Sequence, residues 1–128
     1  MDQTATPRTM VIGGDSHFCY LMRRYLGASD HQLTFLNYGD DILAMARQKK
    51  PTVIVLKVDE PGTPGWITLQ ALKSDQILSH VPVVLCSWLA DEMHSLEQGA
   101  DIYLRMPILY KDFKSALLNV GIDLEGSE

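Results

Sequence analysis

Cysteine is scarce in this sequence. Cys19 and Cys86 stand alone, in no CxxC spacing, and His17, His31, His80 and His94 are scattered along the chain. That excludes a disulfide scaffold and supplies no metal-ligand cluster, so both cysteines are expected to be packing residues. Basic charge is in deficit: eleven Lys and Arg face sixteen Asp and Glu, a formal charge of -5. The sign is wrong for a module that holds phosphates by counterion release, which argues against direct nucleic-acid binding. Long apolar runs are missing as well. Nothing approaches the roughly 20 residues of a membrane span. Residues 1–7 are too polar for a secretory signal, so a cytoplasmic location away from membranes is expected. No internal repeat is present. Gly13-Gly14 precedes a helical segment, but it has no third glycine in GxGxxG register and no GK[ST], so it reads as a tight turn.

What is there suffices for one core. The 128 residues are 46% hydrophobic and 21% charged, which suits a single domain, since folded units run to about 100–200 residues. The expected domain spans 1–128, with a core over about 8–121 and residues 122–128 as a tail or the start of a linker. Five short runs rich in β-branched residues, 10–12, 33–36, 53–56, 83–85 and 102–104, read as strands. The third and fourth do not alternate apolar with polar, the pattern of a parallel sheet covered on both faces.

Helical spacing fills the gaps. Phe18, Leu21, Met22, Tyr25 and Leu26 recur at three and four, behind Asp15 or Ser16 as cap. A second helix carries Ile42, Leu43 and Ala46 and stops before Pro51; a third covers 66–74; a fourth, 91–98, is barely two turns. The last, 111–120, aligns Phe113, Ala116, Leu117 and Val120 and ends at Gly121. Strand and helix alternating in this way predict an α/β fold with right-handed crossovers.

In such a sheet, ligands bind beyond the carboxyl ends of the strands. The loops there read Gly13-Gly14-Asp15-Ser16, Lys57-Val58-Asp59-Glu60, Ser87-Trp88 and Arg105-Met106-Pro107. Together with the stretches TMVIGGDS, PTVIVLKVDEPGTPGW, VPVVLCSW and GADIYLRMPILYKDF, they resemble the receiver domain of bacterial response regulators over about residues 8–120. The resemblance implies a flavodoxin-like α/β fold: a five-stranded parallel sheet in the order 2-1-3-4-5, helices on both faces, and a cis Met106-Pro107 bond.

The family's chemistry uses an acidic pair after the first strand and a phospho-accepting aspartate ending the third, which hold magnesium through oxygen ligands. A hydroxyl follows the fourth strand and a lysine the fifth. Set on that pattern, the acidic pair falls on Gly13 and Gly14, the acceptor on Lys57, the hydroxyl on Ser87 and the lysine on Met106. The resemblance thus implies a degenerate phosphorylation pocket of Gly13, Gly14, Asp15, Lys57, Asp59, Ser87 and Met106, with no catalytic residue, no metal and no cofactor. An ammonium at the mouth of an apolar sheet calls for a carboxylate, and Asp15 and Asp59 are nearest in sequence. At about 4 Å and an effective dielectric near 20, such a pair gains roughly 4 kcal/mol before desolvation.

Ser87 and Tyr103 match the hydroxyl and aromatic that move together as a switch in receivers. Trp88 either crowds the pocket or turns outward with Leu89. Trp88, Leu89, Tyr103 and Tyr110 are the candidate partner-binding residues, on a face made by the fourth helix, fifth strand and fifth helix. The function expected is that of a pseudo-receiver: a phosphorylation-independent signalling module, not an enzyme, that docks on a protein partner (a kinase, regulator or output domain) or on a second copy of itself. Two alternatives stand beside it: a small-molecule or anion sensor or enzyme using the strand-end crevice, and a receiver with its acceptor displaced to Asp59.

Overall fold

In the computed structural model, which describes residues 7–27, 32–58, 64–88 and 92–124, the five apolar runs become strands β1 (Arg8–Ile12), β2 (Gln32–Leu36), β3 (Val53–Lys57), β4 (Val83–Ser87) and β5 (Ile102–Arg105). All neighbours pair in parallel, and the order is β2-β1-β3-β4-β5. Every residue of β3 and β4 is buried. That follows from helices on both faces, and it explains why these two runs lack polar alternation.

Successive strand residues point to opposite faces, and each face has its own core. On one side α1 (Ser16–Leu26) and α5 (Tyr110–Asn119) bring Phe18, Met22, Leu26, Phe113 and Leu117 against Val11, Val55, Val84 and Cys86. On the other, α2 (Ile42–Lys49) and α3 (Pro64–Ser74) bring Ile42, Ala46, Leu69 and Leu72 against Met10, Ile12, Ile54, Leu56 and Leu85. Among the described residues no helix is long and apolar enough to cross a membrane.

Local chemistry sets the helix ends. Asp15 is the cap of α1, its Oδ1 accepting the Phe18 N–H at 2.8 Å. α3 begins at Pro64, two residues before the expected Trp66, because a proline at the first turn has no N–H to leave unsatisfied. α5 closes on Gly121 at φ +93, with Ile122 N–H donating to the Leu117 carbonyl at 2.8 Å and Gly121 N–H to that of Leu118 at 3.0 Å. This double closure satisfies carbonyls the helix end would otherwise orphan. A short 3-10 turn, Leu78–His80, precedes β4 and carries no sequence period.

The fourth helix, α4 (Glu92–Glu97), has only six residues and is held from the side. Trp66 meets His94 edge-on at 4.9 Å between centroids, Gln70 Nε2 donates to Gln98 Oε1 at 2.5 Å, and Lys73 Nζ pairs with Asp101 Oδ2 at 2.8 Å. Residues 66, 70 and 73 lie on one face of α3, so contacts at helical spacing hold α4 at His94, the residue after it at Gln98 and the approach to β5 at Asp101.

Candidate functional site

The parallel register places Ile12 beside Leu36 and Leu56, Lys57 beside Cys86, and Ser87 beside Arg105, so the loops after the strands share one rim. Lys57, the last residue of β3, is 4% exposed. Its Nζ lies 5.9 Å from the centroid of the Phe18 ring, near the outer reach of a cation–π contact. Beside it, burial pushes the Cys86 thiol far above its ordinary range, and the Lys57 charge only partly opposes this. A buried neutral thiol is a packing group, not a nucleophile.

Of the two carboxylates expected to pair with Lys57, Asp15 makes no ion pair with it among the described residues. Asp15 uses its carboxylate on the helix cap instead. The Phe18 N–H, and secondarily the charge of Lys57 at longer range, hold that carboxyl below its ordinary value. Asp59, the other candidate partner and the displaced-acceptor alternative, lies outside the described residues.

A depressed carboxyl pKa stabilises the fold above the unfolded-state value near 3.8, and that contribution is lost as pH falls through the lower folded value. Asp15→Ala is therefore expected to cost about 1 kcal/mol at neutral pH through the lost cap. Urea titrations of both proteins should converge below pH 3.8. A gap of constant size down to pH 2 would contradict the assignment.

The site thus sits at the carboxyl end of a 2-1-3-4-5 sheet, and the chain has recognisable relatives. It is 30% identical over 105 residues to the transcriptional regulatory protein BaeR of Escherichia coli, covering 80% of this chain and 42% of that protein. It is 35% identical over 104 residues to the response regulator PleD of Caulobacter vibrioides, covering 79% of this chain and 23% of that one. The chain belongs to the response-regulator receiver family. It spans less than half the length of these two relatives. The chemotaxis protein CheY4 of Vibrio cholerae superposes with a TM-score of 0.78 over 91% of this chain and 99% of that one, at 15% identity, a likeness of fold. No protein-family model matches the chain.

The resemblance implied the family's acidic pair at Gly13 and Gly14, and the space above both glycines is taken. A Cβ on Gly13 would come within 2.3 Å of Tyr38 Cε2, and one on Gly14 within 2.6 Å of Phe18 Cδ2. Gly13 also adopts φ +85, a conformation glycine takes without strain. The Tyr38 hydroxyl donates to the Lys57 carbonyl at 2.5 Å, closing the ring over the end of β3. Magnesium requires a near-octahedral set of oxygens. Gly13, Gly14 and Lys57 offer no side-chain oxygen, and these residues do not fit the ion. Among the described residues no group of three His, Cys, Asp or Glu is placed to hold a metal.

The remaining receiver positions separate by face. Leu85, paired with Tyr103 in the register, alternates with Cys86, so Ser87 and Tyr103 lie on the α3 side of the sheet. Ser87 is fully buried and Tyr103 packs against the core on that side. Met106 is buried on the α1 side, and its bond to Pro107 is cis. Trp88 turns outward at 49% exposure; Leu89 lies outside the described residues.

Tyr103 also lines a groove of about 420 Å³ with Ile102, Leu104, Arg105, Glu92 and Asp112. Next to it, Met93 and Leu96 of α4 are exposed between Glu92 and Glu97. Tyr110 does not line this groove. Its ring meets Tyr25 of α1 edge-on at 5.3 Å.

Reading the sequence missed Tyr38, Phe18, Met93 and Leu96 as site residues. For the first two a signal was available, since two glycines at a strand end leave a volume that large neighbours must fill.

Proposed function

We propose that this receiver domain is not phosphorylated by the family's aspartyl route and works by docking on a protein partner, as a cytoplasmic signalling module and not as an enzyme. The observation that carries the first half is the occupancy of the crevice: aromatic rings lie over Gly13 and Gly14, and an ammonium stands at the acceptor position. A lysine amine cannot form the acyl phosphate that an aspartate forms, and among the described residues no group of three His, Cys, Asp or Glu is placed to hold a divalent ion. Asp15, the described carboxylate in the loop after β1, is committed to the helix cap. The rings over the two glycines take volume that a small-molecule ligand in this crevice would need.

The second half rests on the groove beside Tyr103 and the exposed Met93 and Leu96. Glu92, Glu97 and Asp112 rim this surface, so the partner it suits presents an apolar ridge flanked by basic side chains. A kinase, a regulator or an output domain meets that description.

The test is incubation with acetyl phosphate, or with beryllofluoride and magnesium, while following Trp66 and Trp88 fluorescence and the intact mass. We expect no saturable change and no adduct. A saturable response, or an acid-labile phosphate on Asp59 or any other carboxylate, overturns the reading. For the docking surface, a basic, leucine-faced helical peptide should shift Trp88 emission saturably. Met93→Glu with Leu96→Glu should abolish that shift without lowering the melting temperature. An unchanged shift in the double variant would remove this face from the proposal.

A further inference from the structure

We propose that the Tyr38 side chain is a built-in occupant of the strand-end crevice, and that its bulk, together with the charge of Lys57, keeps divalent cations out. The proposal deepens the reading above and rests on it, but it makes a separate claim. Loss of the acidic side chains is not by itself what closes this site; a specific residue from a different loop has been seated in their place.

The backbone explains how Tyr38 reaches there. β2 lies beside β1, Ile12 pairs with Leu36, and the Gly13 N–H donates to the Leu36 carbonyl at 3.0 Å. Two residues past Leu36, the tyrosine therefore stands at the rim directly over Gly13. Two close approaches to glycine backbone and one hydrogen bond define its place. Its Cε2 and Cζ lie 2.3 and 2.6 Å from where a Gly13 Cβ would sit. Its hydroxyl lies 3.0 Å from where a Gly65 Cβ would sit, at the start of α3, where Val58 methyls close the wall. The same hydroxyl donates to the carbonyl of Lys57.

The ring thus joins the loops after β1 and β2 to the end of β3 and the start of α3. A cation held by carboxylates on β1 and β3 would bridge much the same backbone through ionic bonds. Here, among the described residues, an aromatic ring and its hydrogen bond to the Lys57 carbonyl do so, and glycine at both 13 and 65 makes the room. Because the ring and a Gly13 side chain compete for one volume, a carboxylate introduced at that position cannot point into the crevice while Tyr38 stays seated. Restoring charge alone should therefore fail to restore cation binding.

The experiment compares Mn²⁺ binding, read by electron paramagnetic resonance, in two variants of the full chain: Gly13→Asp with Lys57→Asp, and the same pair with Tyr38→Ala. Gly14 is left alone because Phe18 covers it. Manganese takes the same oxygen ligands as magnesium, and the triple variant is expected to bind it at least about tenfold more tightly than the double. Equal affinities, or no binding by either, would overturn the proposal.

A second measurement does not depend on those carboxylates folding well. In Tyr38→Ala alone, p-cresol should refill the vacated space and raise the melting temperature saturably, more than toluene does, because only cresol can donate to the Lys57 carbonyl. The native chain should not respond. Absence of any rise in the variant, or an equal rise in the native chain, would overturn the proposal. A beryllofluoride response of the native chain alongside intact cresol rescue would defeat the functional reading and leave Tyr38 as the occupant.

Discussion

Gly13→Ala is expected to lower the unfolding free energy by about 3 kcal/mol, large for a change of one methyl group at a loop position. Two effects add. An alanine at φ +85 carries roughly 1 kcal/mol of backbone strain. Its Cβ would also meet Tyr38 Cε2 at 2.3 Å, and forcing a packed ring aside costs about 1–3 kcal/mol. The two are separable, because only the second needs the tyrosine. In a Tyr38→Ala background the same substitution should cost only about 1 kcal/mol, leaving a coupling of about 2 kcal/mol between positions 13 and 38. Urea titrations of the four proteins measure it. Equal costs in both backgrounds would mean that the ring moves away freely and is not held over the glycine.

Phe18→Ala is the second large effect, with an expected loss of about 4 kcal/mol. Phe18 is fully buried, anchors the α1 side of the core, covers Gly14 and faces the Lys57 ammonium. Deleting the ring leaves a cavity bounded by β1, β3 and α1, and rigid strands cannot collapse to fill it. At this chain length such a loss corresponds to roughly 15 °C in melting temperature. Phe18→Leu, which keeps most of the volume, should lose about 1 kcal/mol. If alanine cost no more than leucine, the ring would not be a packed member of the core.

Much of this fold was legible because it is written in short-range terms. Val53 to Leu56 and Val83 to Leu85 are apolar without alternation, which only a doubly covered sheet requires. Asp15 and Gly121 mark helix ends by chemistry confined to one turn. The resemblance carried by the loop motifs added the strand order, which local periodicity cannot supply. The start of α3 was missed by two residues because the apolar period begins at Trp66, whereas the backbone turns at Pro64. The 3-10 turn at Leu78 is too short to have a period.

The site was legible only in what it lacks. Glycines at 13 and 14 and a lysine at 57 can be counted in the sequence, but the group that takes the vacated volume comes from another loop. Nothing local to Tyr38 announces that its ring will lie over Gly13. Lys57 was expected to pair with Asp15, Asp59 or both; Asp59 lies outside the described residues, and Asp15 caps α1 instead, its carboxylate accepting the Phe18 amide three residues away. Trp88 was open to two orientations. Sequence gives the size of the ring, and only the packed rim decides which way it turns.

The rings over the two glycines also bear on how such a domain changes over generations. A lineage that acquired an aspartate at position 13 while keeping its tyrosine would be destabilised, because the two side chains compete for one volume. Losing the tyrosine first would likewise weaken the molecule with nothing in return. Each single substitution costs stability, so the two positions constrain each other. Natural variants should alter positions 13 and 38 jointly or leave both untouched.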